Sequence, residues 1–286
     1  MSARLGTWCM RGVVAFGFAL LYVPFLVILL LSFNDSPAPT LPFKGFTLHW
    51  YSQLLHDDAL RTALGNTMKI GLAATIVSTA FGTLIAVGLR HADFRGRGLY
   101  ELLLSLPFLL PEVTVGVATV TALTAAGVTL SLTTILIAHV LVTLVVAERT
   151  IAVRLSQIPL SWEEASRDLG RSPVATFFLV VLPNLRSALV SAALLTFTVS
   201  FDQTIITSLV AGNQTTLPTF VFAQVRRGFT PELNSIAALF LVVSSALGVL
   251  LWLNMSRGAA TAPSRGAATA PVPVQPTVPV PDEATA

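Results

Sequence analysis

Charged residues and cysteines are scarce in this sequence. Only 11% of the 286 residues are charged and 54% are hydrophobic, whereas about 25% of an average soluble domain is charged. The single cysteine, Cys9, excludes an intrachain disulfide framework and a cysteine-ligated metal cluster. A chain so poor in charge is predicted to lie in lipid, where ions are costly, and not to fold as a soluble globule.

Motifs for binding nucleotides, nucleic acids or metals are also missing. No Gly-x-x-x-x-Gly-Lys-Ser/Thr phosphate loop occurs, so the chain itself is not expected to bind ATP. The arginines are divided among short loops and form no dense patch with aromatic residues, so no nucleic-acid partner is expected. No His-Glu-x-x-His pattern occurs either, and neither a metal nor a cofactor is predicted for this chain.

Apolar runs long enough to cross a membrane recur along the chain. The run from 12 to 33 contains no charge, and about 20 helical residues suffice to span the hydrocarbon core of about 30 Å. It is too long for a signal peptide, and no clean cleavage site follows it. Five further spans are predicted at 66–89, 102–124, 130–147, 188–209 and 236–253. The sequence therefore predicts an all-α membrane protein with six transmembrane helices, which is in contact with lipid.

Basic residues are distributed unevenly between the two sets of loops. Most lie at the amino terminus, near 90–100, in the loop 148–187 and after the last span, whereas the other loops hold Lys44, Arg61, Arg226 and Arg227. The positive-inside rule therefore predicts that both termini are cytoplasmic. The predicted organisation is a cytoplasmic amino terminus (1–11), the first transmembrane helix (12–33), an exterior loop (34–65), a core with five transmembrane helices (66–255) and a disordered cytoplasmic tail rich in Ala, Pro and Thr (256–286).

The long loop between the fourth and fifth predicted spans carries helix-capping signals. Ser161, with Glu164 three residues later, predicts the start of a helix, and Gly170 predicts its left-handed end. Ser172 and Pro173 predict the cap of a second helix, which Leu182-Pro183 closes. Two short helices would form a protruding knob suited to docking a soluble partner. Its predicted surface is an apolar centre with a charged rim, formed by Trp162, Ala165, Leu169, Glu163, Arg167, Asp168 and Arg171.

The same segment resembles the EAA loop of bacterial binding-protein-dependent ABC importer permeases. Glu164-Ala165-Ser166 is followed after three residues by Gly170 and after nine more by Val180, and Leu182-Pro183 ends the pattern. In that family the loop forms a cytoplasmic coupling helix that fits a cleft on the ATP-binding subunit. The resemblance implies a MetI-like ABC importer permease fold, with ATP bound by a partner subunit. It assigns coupling to Glu164, Ala165, Ser166, Asp168, Gly170, Leu182 and Pro183, where Ser166 replaces the usual alanine.

Shorter matches are similar to the spermidine and putrescine permeases, among them Asn66-Thr67, Pro111-Glu112, Ser200-Phe201-Asp202-Gln203 and Pro231-Glu232-Leu233-Asn234. This resemblance implies polyamine import across the bacterial inner membrane. It also implies three kinds of partner: a dimer of ATP-binding subunits, a second permease subunit and a soluble substrate-binding protein. Relatives that move iron, thiamine or phosphonates share much of the pattern, so these substrates stay open.

Two carboxylates, Glu112 and Asp202, fall near the middle of predicted spans three and five. A charge there costs at least about 2.5 to 3.5 kcal/mol unless it is paired or faces water. Both are predicted to line the translocation pathway, where they would act as counter-charges for a polyvalent cation. The alternative is a structural carboxylate, for example Asp202 hydrogen-bonded to Thr198 or Ser200.

The sequence favours a permease over two other functional classes. An intramembrane enzyme would need converging residues, and Glu112, His139 and Asp202 lie alone on three different predicted helices. His139 is expected to be a satisfied core residue. An ion-driven secondary transporter would show inverted repeats, and none is recognisable in the sequence. The chain is therefore predicted to be a transport subunit and not an enzyme.

Overall fold

The computed structural model describes residues 2–36, 42–228 and 231–260. Within these ranges the chain is helical, apart from turns and one isolated bridge between Asn34 and Phe46. The helices are α1 (Ser2–Leu31), α2 (His49–Leu55), α3 (Asp58–His91), α4 (Arg97–Leu109), α5 (Glu112–Ala125), α6 (Leu132–Leu155), α7 (Leu160–Asp168), α8 (Pro173–Thr176), α9 (Leu182–Asp202), α10 (Ile205–Val210), α11 (Leu217–Arg227) and α12 (Pro231–Ala260), with a π-helical turn at Phe177–Val181.

Five helical segments are long and apolar enough to cross a membrane: Met10–Leu31, Asp58–His91, Leu132–Leu155, Pro173–Asp202 and Glu232–Asn254. A sixth span forms if α4 and α5 are counted together, although they meet at an angle of 105°. The bend lies at Leu110 and Pro111, where proline lacks the amide needed to continue the helix. The predicted all-α membrane fold is confirmed, and the predicted number of six spans is reached when the bent pair α4 and α5 is counted as the third span.

Several helix ends differ from the predicted ones. The carboxylate of Asp57 accepts hydrogen bonds from the amides of Ala59 and Leu60 at 2.8 and 3.0 Å, so α3 begins before the predicted position 66. The sixth helix continues beyond the predicted end at 147, and α9 ends at Asp202, before 209. Apolar runs indicate only the lipid-embedded part of a helix, whereas caps and breaks set its true ends.

The predicted end of the second loop helix at Leu182-Pro183 is wrong. The helical chain continues from Pro173 to Asp202 as one candidate span. The π-helical turn at Phe177–Val181 ends two residues before Pro183. Such a turn is wider than an α-helical one and leaves room for the proline ring against the preceding turn, so the helix continues.

The centre of the bundle is formed by α3, α6 and the span that contains α9. Gly82 in α3 permits close packing, because a Cβ atom there would lie 2.8 Å from the amide nitrogen of Glu148 in α6. The buried hydroxyl groups of Ser78 and Thr143 lie 2.8 Å apart across the same interface. Close backbone approach and uncharged hydrogen bonds therefore hold these two spans together.

The outer helices α1 and α12 pack against each other in opposite directions. Ser235, near the start of α12, donates to the carbonyl of Ser32, which follows α1, at 3.2 Å. Near the other end of α12, Asn254 donates to the carbonyl of Ser187 at 2.9 Å. The first helix therefore starts, and the last one ends, on the side of the bundle where α9 begins. The last helix extends to Ala260, beyond the predicted start of the tail at 256, and the rest of that tail lies outside the described residues.

Candidate functional site

The short helix α7 lies at the end of the bundle where α3 and α6 finish, here called the α7 end. The predicted capping role of Ser161 is wrong, because α7 begins at Leu160 after Pro159 without a side-chain cap. Gly170 ends the helix as predicted, with a φ of +81° and an amide that donates to the carbonyl of Arg167 at 2.8 Å. Ser172 caps the next helix as predicted and accepts from the amide of Ala175 at 3.2 Å.

The inner face of α7 buries two residues, Glu163 and Ser166. They are three positions apart, so they project from the same side of the helix. The hydroxyl groups of Ser166 and Thr176 lie 3.0 Å apart, which attaches α7 to the start of the next span. The serine that replaces the usual alanine is therefore packed inside and also forms a hydrogen bond.

The carboxylate of Glu163 contacts the end of α3. Its Oε1 lies 3.3 Å from Nη2 of Arg90, and its Oε2 lies 2.9 Å from Nε2 of His91. Arg90 also donates to the carbonyls of Leu155 and Ile158 at 2.7 and 2.6 Å. Arg90 and Glu163 are here called the clamp. The prediction that Glu163 belongs to an exposed charged rim is wrong, because its side chain is only 5% exposed and points to the bundle.

The outer face of α7 remains uncovered within the described part of the chain. Leu169 is 84% exposed and Trp162 is 43% exposed, and both predicted acidic residues Glu164 and Asp168 are exposed beside them. This docking face is defined by Trp162, Glu164, Ala165, Asp168 and Leu169. It has the apolar centre and charged surroundings that the sequence predicts for a protein contact.

The predicted coupling residues fall into two groups. The segment from Glu164 to Gly170 stays together in α7 and its terminal turn. By contrast, Leu182 is half-buried and Pro183 is exposed within the long span Pro173–Asp202.

At the opposite end of the bundle, here called the α10 end, two helices are broken beside a carboxylate. Glu112 is the first residue of α5 and Asp202 is the last residue of α9. The two breaks are neighbours, because α5 packs on α10 at Gly116, where an added Cβ would lie 3.4 Å from Cα of Ile206. Glu112 lies at the break in the middle of the bent span formed by α4 and α5, as predicted, whereas Asp202 is the last residue of the span Pro173–Asp202 and not in its middle, because the helix breaks there.

Neither carboxylate has a hydrogen-bond or ion-pair partner in residues 2–36, 42–228 and 231–260, and both residues are exposed. The alternative in which Thr198 or Ser200 satisfies Asp202 is not found. The hydroxyl of Thr198 donates to the carbonyl of Leu194 at 2.8 Å, and Ser200 bonds to His139. Asp202 lines an open pocket of about 280 Å³ together with Thr204, Pro218, Val221, Phe222 and Phe240.

His139 connects the two sides of the break between α9 and α10, a role that sequence reasoning missed. Its Nδ1 lies 2.7 Å from the hydroxyl of Ser200, and its Nε2 lies 2.8 Å from the hydroxyl of Thr207. The residue is 3% exposed, which confirms the expectation of a satisfied core histidine. The sequence signal for this role is a lone histidine in one span together with two hydroxyl residues, Ser200 and Thr207, in another.

The start of α3 holds the chain that follows α10. Asn66 donates from Nδ2 to the carbonyl of Thr215 at 2.9 Å, and the hydroxyl of Thr67 accepts from the amide of Leu217 at 2.7 Å. The sequence indicates these residues only through a resemblance, whereas in the structure they contact the chain near the α10 end.

Known proteins with similar sequences are transport components. The family model for the binding-protein-dependent transport system inner membrane component matches residues 78–256. The putrescine transport system permease protein PotI of Escherichia coli (strain K12) is 35% identical over 253 residues, which cover 86% of this chain and 90% of the relative. The spermidine/putrescine transport system permease protein PotC of Haemophilus influenzae is 33% identical, with 82% of this chain and 91% of the relative covered.

Solved structures with the same fold are parts of ABC transporters. A bacterial ABC transporter involved in the import of the acidic polysaccharide alginate matches with a TM-score of 0.65 at 16% identity, over 90% of this chain and 97% of that chain. The MetNI methionine ABC transporter in its inward-facing form matches with a TM-score of 0.51 at 20% identity, over 71% of this chain and 96% of that chain. At these identities the likeness concerns the fold alone.

Proposed function

Because this chain belongs to the family of binding-protein-dependent transport system inner membrane components, we propose that it takes part in the import of polyamines such as putrescine and spermidine. Membership of this family makes it a multi-pass permease component of an ABC transporter and not an enzyme. The observation that carries this substrate class is the 35% identity, over most of both chains, to a protein named as a putrescine permease.

The chemistry of the pocket beside Asp202 supports a polyamine. A polyamine has ammonium groups joined by apolar methylene chains. The unpaired carboxylate of Asp202 suits an ammonium group, while Val221, Phe222 and Phe240 suit the methylenes. The ring of Phe240 also suits a second cation, whereas the ring of Phe222 already contacts the guanidinium group of Arg226 at 4.8 Å. Glu112, at the neighbouring helix break, would provide a further counter-charge along the same pathway.

The proposed mechanism is alternating access driven by a partner. The docking face of α7 would lie in a cleft of an ATP-binding subunit, and closure of two such subunits around ATP would push on α7 and tilt the bundle. A second permease subunit would supply the other half of the pathway. A soluble substrate-binding protein would deliver polyamine to the α10 end. In this arrangement α7 and both termini are cytoplasmic, as the basic residues indicate.

The proposed segments describe position relative to the membrane and not the ends of helices, since α3 begins at Asp58 and α12 continues to Ala260. They place a cytoplasmic amino terminus at 1–11, the first transmembrane helix at 12–33, an exterior loop at 34–65, the permease core at 66–255, the coupling loop at 148–187 and a cytoplasmic tail at 256–286. Coupling is proposed for Glu164, Ala165, Ser166, Asp168, Gly170, Leu182 and Pro183, since these residues carry the family pattern.

Radiolabelled putrescine uptake tests the substrate and the role of Asp202 together. In the reconstituted complex, Asp202→Asn should lower uptake about tenfold, the effect of about 1.4 kcal/mol, because the ammonium group loses its counter-charge. The amount of protein in the membrane should not change. Asp58→Asn is the matched control, since its carboxylate is 95% exposed and lies at the same end of the bundle.

Two results would contradict the proposal. Full uptake by the Asp202→Asn variant would reject the counter-charge role. A wild-type complex that transports iron, thiamine or a phosphonate but no polyamine would reject the substrate class and leave the permease assignment intact.

A further inference from the structure

Three separate segments of the chain meet at the guanidinium group of Arg90. Arg90 lies in the last turn of α3, and it donates to the carbonyl of Leu155 at the end of α6 and to the carbonyl of Ile158 in the connector to α7. Its Nη2 atom also lies 3.3 Å from the carboxylate of Glu163 within α7. A guanidinium group carries several donors in a fixed plane, so one side chain can hold all three segments at defined positions.

The clamp is shielded from water. The side chains of Arg90 and Glu163 are 10% and 5% exposed. Beneath them Ala86, Ile151, Leu155 and Ile158 belong to one buried apolar cluster that also includes Val181 and Leu185. A charge pair in such surroundings is screened less than a surface pair. Without Glu163, the guanidinium of Arg90 would be a buried charge with no carboxylate, whereas Glu163 without Arg90 would keep only its contacts with His91 and Arg167. The clamp therefore opposes separation of α7 from the ends of α3 and α6.

The third helix extends from the clamp to the α10 end. It contains 34 residues, a length of about 50 Å at about 1.5 Å per residue. In the third turn of this helix, toward the α10 end, Asn66 and Thr67 bind the backbone at Thr215 and Leu217, between α10 and α11. One continuous helix thus has a buried polar attachment to α7 at one end and to the broken helices at the other.

These contacts attach the inner face of α7 to the bundle and leave its outer face exposed. Glu163 and Ser166 fasten the inner face to α3 and α8, while Trp162 and Leu169 on the docking face are exposed. Without the clamp, a push on the docking face would be absorbed by bending the short connector 156–159. With it, the push reaches α3 and α6 at the same time.

We propose, on the basis of the function proposed above, that Arg90 and Glu163 are positioning residues that transmit the movement of the docked ATPase from α7 into α3 and α6. They do not contact the ATPase, because both side chains are buried on the inner face. Their loss should therefore separate ATP hydrolysis from transport while the complex stays assembled.

The test is the number of ATP molecules hydrolysed per putrescine imported by the complete complex in proteoliposomes. Arg90→Lys keeps the charge but cannot donate to both carbonyls and keep its charge beside the carboxylate of Glu163 at the same time, and Glu163→Gln keeps the shape but removes the charge. Each single variant should raise the ratio by about fivefold or more. The double variant should be no worse than the worse single variant, because both residues act in one network. Arg95→Lys, an exposed residue after α3, is the control.

Retention of the ATP-binding subunits during purification separates transmission from docking. The proposal predicts wild-type retention in all three variants. A wild-type ratio in both single variants, additive effects in the double variant, or loss of the ATP-binding subunits would each overturn it. If the wild-type complex imports no putrescine, the proposed substrate class is rejected instead. The proposed role of the clamp is then tested by a second measurement.

That second measurement is hydrogen exchange of the amides at 156–169 in the assembled complex, which needs no substrate. Glu163→Gln should speed exchange in the connector and α7 by about tenfold relative to Arg95→Lys, because local opening becomes easier. Unchanged exchange would show that Arg90 and Glu163 do not hold α7 to the bundle, and the proposal would be rejected.

Discussion

The two ends of the bundle use charge in opposite ways. At the α7 end, Glu163 is buried and contacts Arg90 and His91. At the breaks near the α10 end, Glu112 and Asp202 are exposed and have no partner in the described ranges, while His139 joins the two sides of one break through the hydroxyls of Ser200 and Thr207. A paired, buried charge fixes the position of a helix, whereas an unpaired carboxylate beside a pocket is free to meet a cation. By proposal, the buried charges at the α7 end transmit movement between helices, and the exposed carboxylates meet the substrate.

The largest effect on stability is expected at the clamp. Glu163→Leu would leave Arg90 buried without a counter-charge, and breaking such a pair costs about 3 to 5 kcal/mol. Thermal unfolding of the purified chain in detergent measures the loss. The neighbouring Glu164→Leu is the control, because Glu164 is exposed and should change stability by less than about 0.5 kcal/mol. Equal losses in both variants would remove the distinction between paired and unpaired charge.

A smaller loss of stability is expected when the hydrogen bonds of His139 near the α10 end are removed. His139→Ala leaves the buried hydroxyls of Ser200 and Thr207 without this partner, at a cost of about 1 to 3 kcal/mol. Thr124→Ala, which removes an exposed hydroxyl bonded within its own helix, should cost only a few tenths. If both variants unfold at the same temperature, His139 does not hold the broken helix.

The turn after α7 should show an intermediate effect on stability and a clear one on coupling. At Gly170 a φ of +81° is unfavourable for a β-branched side chain by about 1 to 2 kcal/mol, whereas asparagine tolerates it. Gly170→Val should therefore raise the ATP consumed per imported substrate, and Gly170→Asn should stay near the wild-type value. The same ratio in both variants would indicate that the turn does not position the docking face.

The smallest change in stability is expected for Asp202→Asn. Its carboxylate has no partner to lose, so the free energy of unfolding should stay within about 0.5 kcal/mol of the wild type even though uptake falls. A thermal unfolding curve recorded beside the uptake assay measures both properties. A loss comparable to that of Glu163→Leu would mean that Asp202 is structural, and the comparison of the two ends would fail.

The fold was largely predictable because the length of each apolar run decides whether a helix can cross the membrane. Apolar runs located the spans, and the spacing from Glu164 to Pro183 located α7 and its resemblance to a family. The ends of helices were less predictable. Asp57 caps α3 before the apolar run begins, and the π-helical turn before Pro183 lets a helix continue where proline predicts an end.

The clamp could not be predicted, because its partners are far apart in sequence. Arg90 and Glu163 come together only through the packing of α3 on α6, and from the sequence alone Glu163 looks like any surface charge of a short polar helix. Likewise, Asp202 lies in an apolar run of the sequence, and only the structure shows that the helix breaks after it, between α9 and α10. Residue types indicated the chemistry correctly, while burial decided which residues perform it.

The docking of the ATPase on α7 is tested most directly by labelling a cysteine at its most exposed position. Leu169→Cys in a Cys9→Ser background places one thiol on a residue that is 84% exposed. A membrane-impermeant maleimide should react with it only from the cytoplasmic side, and assembly with the ATP-binding subunits should protect it. Reaction from the exterior, or equal reaction with and without those subunits, would contradict the account.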